Sequence, residues 1–287
     1  MATLSRSIAD PPGIAMKTIL VTGSTDGIGK ATARALARQG HRVLIHGRDS
    51  AKVRTVVGEI GKETGSAEPD HFTADISSFA GVRSLVDQVG DRYDRLDVLV
   101  NNAGVYMGER VLSADGLEMT FAVNVAAPFH LSRLLTPALE AAAPARIVNV
   151  ASGAHFDVRG MDWENLMGEK KYDGWGAYCQ SKLGMVLLSF ALAGRLDPEK
   201  ITVNCLHPGV ICTKLLYSAF PVYPCDPPET GARTPVYLAT SGEVSGTTGK
   251  YFDNMRETRS SQASHDRGAQ DRLWKYLGGL VDLDRRD

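Results

Sequence analysis

From Lys17 onward the chain alternates short runs rich in β-branched residues with longer amphipathic stretches, and this alternation leaves few folds open to it. The short runs are KTILVT, HRVLIHG, EPDHFTAD, LDVLVNN, ARIVNVAS and ITVNCLHP, which read as six strands. Between them, apolar residues recur at helical spacing near 27–40, 51–63, 78–92, 114–142 and 175–197, each stretch long enough to cross over and return the chain parallel. Several strands are apolar almost throughout, as expected where helices cover both faces of a sheet. The expected fold class is therefore α/β, a doubly wound, mostly parallel sheet with helices on both faces.

No repeat, low-complexity tract or flexible linker interrupts residues 17 to 207, so 17–287 reads as a single domain behind a loosely ordered leader at 1–16. Beyond 207 the pattern loosens. Pro208, Pro221, Pro224, Pro227 and Pro228 alternate with Leu215, Leu216, Tyr217, Phe220 and Tyr223, which predicts a mobile flap over 208–228. A helix from Pro228 to about Ala239, a short strand at GKYFD and a charged helix near 265–278 complete the chain.

The first strand runs directly into Thr22, Gly23, Ser24, Thr25, Asp26, Gly27, Ile28 and Gly29, and a helix follows. Glycines at such a turn let the backbone bend tightly and approach a pyrophosphate, while the helix N-terminus offers free N–H groups to the anion, as in Rossmann-type sites. The spacing is not GxGxxG, and a Gly-rich turn without ligand is the bland alternative. The second strand ends His46-Gly47-Arg48. An acidic residue there would bind a ribose 2′-hydroxyl and repel a 2′-phosphate, whereas Arg48 can pair with the phosphate through its planar fork, which favours NADP(H) over NAD(H).

Tyr178 and Lys182 are four residues apart on a predicted helix and so share one of its faces, just after a strand that ends near Ser152. A phenol with a pKa near 10 exchanges protons poorly at neutral pH unless its anion is stabilised, and a nearby ammonium favours the anion. Ser152 would donate a hydrogen bond to a substrate oxygen as charge develops on it. This is chemistry for interconverting a carbonyl and an alcohol.

TGxxxGxG at 22–29, Asn101-Asn102-Ala103-Gly104, Asp75-Ile76, YxxxK at 178–182 and Pro208-Gly209 followed by Thr213 together resemble the short-chain dehydrogenase/reductase superfamily. The resemblance implies an oxidoreductase with Tyr178 as general acid and base, and Asn124 as the fourth member of a tetrad with Ser152, Tyr178 and Lys182, holding a water in the proton relay. It places Asn102, Ala103 and Gly104 beside the adenine and ribose, Asp75 and Ile76 on the adenine ring, and Lys182 on the nicotinamide ribose. Pro208, Gly209, Val210 and Thr213 fall on the nicotinamide side. Asp26 occupies a position where many NADP-dependent members carry a basic residue, which counts against the cofactor choice. HGRD, AYCQSKL, LHPGVICTKL and TGKYF look most like the retinol dehydrogenase-like branch. Likeness to dimeric and tetrameric relatives implies a homo-oligomer joined through the helices at 114–142 and 175–197.

His155, Phe156, Trp163, Leu166, Met167 and Trp175, with the apolar flap residues, would line a greasy pocket for an apolar aldehyde, ketone or alcohol. His155 and His207 have no third ligand at metal spacing. A net charge of −1 with scattered Lys and Arg argues against nucleic acid. No apolar run is long enough to span or anchor in a membrane, which points to the cytoplasm. Cys179, Cys205, Cys212 and Cys225 form no paired motif and read as reduced thiols. From another class, a catalytically silent NADP(H)-sensing regulator would use the same fold without turnover, and a dehydratase or epimerase would need a longer substrate domain.

Overall fold

Six strands lie where the β-branched runs put them in the computed structural model, which describes residues 16–65 and 68–284: β1 (Thr18–Val21), β2 (Arg42–Gly47), β3 (His71–Thr73), β4 (Val98–Asn101), β5 (Ala145–Val150) and β6 (Ile201–His207). Apart from Met16, the leader expected at 1–16 lies outside the described residues. The intervening helices are α1 (Gly27–Arg38), α2 (Ser50–Thr64), α3 (Phe79–Gly90), α4 (Met119–Phe121), α5 (Ala127–Glu140) and α6 (Gly174–Ala193), with a π turn (Ala122–Ala126) joining α4 to α5. After β6 come α7 (Lys214–Ala219), α8 (Pro228–Thr240), β7 (Lys250–Asp253), β8 (Arg256–Thr258) and α9 (Arg267–Asp284).

The strands form one eight-stranded sheet in the order β3-β2-β1-β4-β5-β6-β7-β8, parallel except for β8. Alternation along each strand divides the core between the two faces. Ile19 and Val21 of β1 and Val98 and Val100 of β4 pack under α1, α2 and α8, whereas Leu20 and Leu99 face α3, α5, α6 and α9. The chain leaves β1 for β2 and β3, then returns to place β4 on the other side of β1. That reversal opens a crevice at the carboxyl ends of β1 and β4, where ligands bind in such sheets.

Three features differ from expectation for local reasons. The helix expected to begin at 114 starts at Met119, because Gly116 turns the chain with a φ of +74° and the Glu118 carboxylate accepts from the N–H groups of Thr120 and Phe121. Edge strand β8 was not expected; Asn254 and Met255, at φ 45° and 63°, make the two-residue turn that folds it back on β7. Finally, α9 lies along α6. It inserts Leu273, Leu277 and Val281 into the core beside Leu183, Leu187, Leu188 and Leu192, each buried side chain contributing roughly 1.5–3 kcal/mol. Trp274 packs edge-on to Phe129 of α5 at 5.0 Å, so the chain's own C-terminal helix covers part of the surface expected to meet a second subunit. Among the described residues, no helix is long and apolar enough to cross a membrane.

Candidate active site

The turn after β1 is held in place by contacts that leave no room for side chains. Gly23 has a φ of +63°, and a Cβ there would come 2.9 Å from the Ala103 Cα. A Cβ on Gly29 would overlap both the Gly23 carbonyl oxygen and the Asn102 side chain. Asp26 caps α1 by accepting from the Gly27 N–H, and the next N–H groups, without intrahelical partners, open onto a cleft of about 660 Å³. Gly23, Thr25, Asp26, Gly27, Ile28 and Gly29 line it. Ser24, read from sequence as a cofactor contact, does not. It is buried, and its Oγ accepts from the His46 N–H at 2.9 Å and donates to the His46 carbonyl at 3.3 Å, tying the turn to β2.

His46 is the residue that sequence reasoning missed here. Its Nδ1 accepts from the Gly23 N–H at 3.2 Å and its Nε2 lies 3.1 Å from the Ala74 carbonyl, a pairing that requires a neutral ring with its proton on Nε2. Burial pushes its pKa down to about 4. As pH falls from the ordinary value of 6.5 toward about 4, the unfolded chain takes up a proton that the folded chain refuses. Folding stability should therefore fall by roughly 3 kcal/mol over that window through this group. Denaturant unfolding at pH 7 and pH 4.5 on the wild type and His46→Asn checks this; an acid loss equally large in the variant would rule out His46 as its source.

At one end of the cleft, Arg48 is exposed just beyond β2, with Asp75 and Ile76 across from it. Lys52, in the first turn of α2, lines the same end and adds a second cation that sequence reading did not include. Asp26, counted above against a phosphorylated cofactor, is paired with Lys214 of α7 at 2.6 Å. The hydrogen bond from that ammonium holds the Asp26 carboxyl below its usual range, and its charge is locally countered. At the centre, Asn102, Ala103 and Gly104 line the cleft. The Thr22 Oγ1 accepts from the N–H groups of Asn102 and Ala103, both at 3.0 Å, and the Asn102 Nδ2 donates to the Thr22 carbonyl at 2.8 Å. These bonds lock the ends of β1 and β4 together.

Ser152, Tyr178 and Lys182 converge on the same cleft. Asp173 caps α6 by accepting from the Gly176 N–H, and Tyr178 and Lys182 follow one turn apart. The Lys182 Nζ donates to the Val150 carbonyl at 3.1 Å and lies 5.5 Å from the centre of the Tyr178 ring. Burial pushes the Tyr178 phenol up to about 12, against an opposing hydrogen bond from Ser152, and burial pushes Lys182 down to about 8. Tyr178 keeps its proton at neutral pH and is poised as a donor.

Asn124 sits in the π turn, behind the cleft wall. Its Oδ1 accepts from the Val105 N–H at 2.8 Å, and its Nδ2 donates to the Val105 carbonyl and the Ser181 Oγ, both at 3.0 Å. The side chain braces the strand end at 102–105 against α6, and a water could use only the second Oδ1 lone pair.

The other end of the cleft is apolar. Tyr106, Trp175, Leu215, Leu216, Phe220 and Tyr223 line it, and Pro208, Gly209, Val210 and Thr213 also line the cleft, Thr213 beside Gly27. Trp175 stacks on Tyr178 at 5.7 Å, Phe220 meets Trp175 edge-on at 5.1 Å, and Tyr223 lies 5.5 Å from Phe220. The remaining residues expected in this pocket lie elsewhere. His155 is buried beneath Ser152, its Nδ1 2.6 Å from the Ser152 carbonyl and its Nε2 accepting from the Ser261 N–H at 3.1 Å. Phe156 rests on His155 and Tyr251, while Trp163, Leu166 and Met167 pack at the edge of the main core, with Arg272 over the Trp163 ring. His207 does line the cleft, its Nδ1 accepting from the Gly153 N–H at 3.0 Å. Among the described residues, no His, Cys, Asp and Glu group could hold a metal.

The flap is more ordered than its prolines suggest. It contains α7, capped by Thr213, and its base is closed by a Cys212–Cys225 disulfide. This corrects the reading of four reduced thiols; only Cys179 and Cys205 are free, and both are buried. Two backbone bonds, from Cys212 N–H to the Asp226 carbonyl at 2.8 Å and from Asp226 N–H to the Val210 carbonyl at 2.9 Å, bring the two cysteines side by side.

A family model described as short chain dehydrogenase matches residues 17–221. The chain is 38% identical to retinol dehydrogenase 13 of Mus musculus over 285 residues, covering 93% of this chain and 84% of that one. It is 34% identical to polyprenol dehydrogenase of Homo sapiens over 283 residues, with 92% and 86% covered. Among solved structures, the Pseudomonas aeruginosa RhlG/NADP active-site complex superposes with a TM-score of 0.68 at 29% identity, covering 83% of this chain and 94% of that one.

Proposed function

The chain belongs to the short-chain dehydrogenase family, in its retinol dehydrogenase-like branch, and so is an oxidoreductase acting on CH–OH and C=O groups; from that premise we propose that it uses NADP(H) and an apolar carbonyl or alcohol, with Tyr178 as general acid and base. One observation carries this reading. A single cleft joins a phosphate-binding turn and the cations Arg48 and Lys52 at one end to Ser152, Tyr178 and an aromatic wall at the other.

The residues present fit a dinucleotide. Gly23 and Gly29 leave the backbone bare, the start of α1 would offer N–H groups to a pyrophosphate, and Arg48 and Lys52 would hold a 2′-phosphate. Asp75 and Ile76 would flank the adenine, and Pro208, Gly209, Val210 and Thr213 the nicotinamide. When bound, the cofactor supplies or accepts the hydride. The protein then orients the substrate oxygen with Ser152, excludes water with Trp175, Phe220 and Tyr223, and exchanges a proton at the Tyr178 hydroxyl. Because burial keeps that hydroxyl protonated, the free protein is prepared for carbonyl reduction. The solved neighbour bound to NADP, and relatives named for retinol and polyprenol, agree with a phosphorylated cofactor and an apolar substrate. Ser152, Tyr178 and Lys182 gathered in one cleft favour turnover over a silent sensor. A second subunit at α5 and α6 would share that surface with α9.

Nicotinamide fluorescence titration tests the cofactor. NADPH is expected to bind at least tenfold more tightly than NADH, about 1.4 kcal/mol, and Arg48→Ala should erase most of that gap. Equal binding of NADH by the wild type would overturn the NADP(H) reading.

A further inference from the structure

We infer that the Cys212–Cys225 disulfide positions the substrate wall, so that its reduction selectively weakens the handling of large apolar substrates. The inference rests on reading the apolar end of the cleft as the substrate site. The flap side chains that wall that end, Leu215, Leu216, Phe220 and Tyr223, lie between the two cysteines. α7 is six residues long and has no buried residue, so it lacks a core of its own. The flap's noncovalent ties to the rest of the domain are the exposed Asp26–Lys214 pair, the Cys212 and Asp226 backbone bonds, the contact of Phe220 with Trp175, the packing of the partly buried Leu215 beside Tyr178 and the approach of Thr213 to Gly27. Exposed ion pairs hold little, so the covalent closure at the base restricts what the segment can explore. The effect reaches the reacting end through a ring contact series, from Tyr223 and Phe220 to Trp175, which stacks on Tyr178.

The pyrophosphate turn and the Ser152–Tyr178 pair stand on β1, α1, β5 and α6, outside the closed loop. Of the residues read as cofactor contacts only Thr213 lies inside the loop, so cofactor binding should depend on the disulfide far less than the substrate wall does. Reduction by a dithiol breaks the Cys212–Cys225 bond and forms two thiols while the reductant closes to its own disulfide, a transfer of two electrons and two protons. In a reducing compartment the flap would be loose, and in an oxidising one it would be held.

The full chain is equilibrated with oxidised glutathione or with dithiothreitol. Denaturing alkylation should label two cysteines in the oxidised sample, Cys179 and Cys205, and four in the reduced one; four in both would overturn the disulfide. Hydrogen–deuterium exchange across 213–224 should rise on reduction, and the Cys212→Ser/Cys225→Ser double variant should show the raised level under both conditions. With NADPH, the KM for a long-chain or polycyclic apolar carbonyl should rise about tenfold on reduction. The KM for NADPH and for a short aldehyde should change less than twofold. Unchanged exchange, or an equal change in all three constants, overturns the inference. Absence of carbonyl turnover in both redox states would instead overturn the substrate-site reading, and the exchange arm would still report on the flap.

Discussion

Tyr178→Phe is expected to lower kcat with NADPH and a test carbonyl by at least on the order of 10³-fold, while the NADPH dissociation constant stays within about twofold of wild type. The substitution removes one oxygen and leaves the ring. Trp175 keeps its stacking partner at 5.7 Å and Tyr106 its edge-on contact at 6.1 Å, so the wall keeps its shape. The lost group is a buried hydroxyl whose proton is retained at neutral pH and whose hydrogen-bond partner is Ser152. Lys182 uses one of its three N–H donors on the Val150 carbonyl and lies 5.5 Å from the centre of the Tyr178 ring, so it does not stand at the position of the lost hydroxyl. Steady-state kinetics and fluorescence titration on the same preparation separate chemistry from binding. Turnover within tenfold of wild type would show that the proton comes from another group and would sink the assignment of Tyr178.

What could be read from the sequence was whatever local spacing determines. β-branched runs placed six strands, because a strand covered by helices must be apolar on both faces, and the order of strands and crossovers then located the crevice beyond β1 and β4. Backbone-exposing positions such as Gly23 and Gly29 were legible because only glycine tolerates their contacts. Side-chain direction at a turn was not. Ser24 lies between cleft-lining residues yet points back to β2, where its Oγ bonds the His46 backbone. Interactions between distant segments were equally hidden: His46 under Gly23, Lys214 on Asp26, and Cys212 with Cys225, thirteen positions apart with no motif to mark them. The pocket wall was half right for the same reason. Trp175 sits at the start of α6 and faces the cleft, whereas Trp163, Leu166 and Met167 are drawn onto the core, beside a C-terminal helix whose position no local pattern could give.

Gly29→Ala provides the second large effect, and it tests the phosphate-binding turn directly. A methyl group at this position overlaps the Gly23 carbonyl and the Asn102 amide, neither of which can move alone. Gly23 is fixed by its N–H bond to His46 and Asn102 by its bond to the Thr22 carbonyl, so relief requires α1 to shift away from the ends of β1 and β4. Overpacking of this kind costs roughly 1–3 kcal/mol in stability, a fall in Tm of several degrees for a chain of this size. The same shift withdraws the α1 N-terminus from the pyrophosphate, and NADPH affinity should drop on the order of 10²-fold or more. Gly58, also in a helix, supplies the control: its Cβ would meet nothing within 4 Å, and Gly58→Ala should leave binding unchanged and Tm equal or slightly higher. If Gly29→Ala stayed folded and bound NADPH as tightly as wild type, close backbone approach at this turn would not be what holds the cofactor. The anion would then have to be held by Arg48 and Lys52 instead. If binding collapsed in Gly29→Ala and persisted in Gly58→Ala, the loss would be assigned to the turn itself and not to any glycine replaced within a helix.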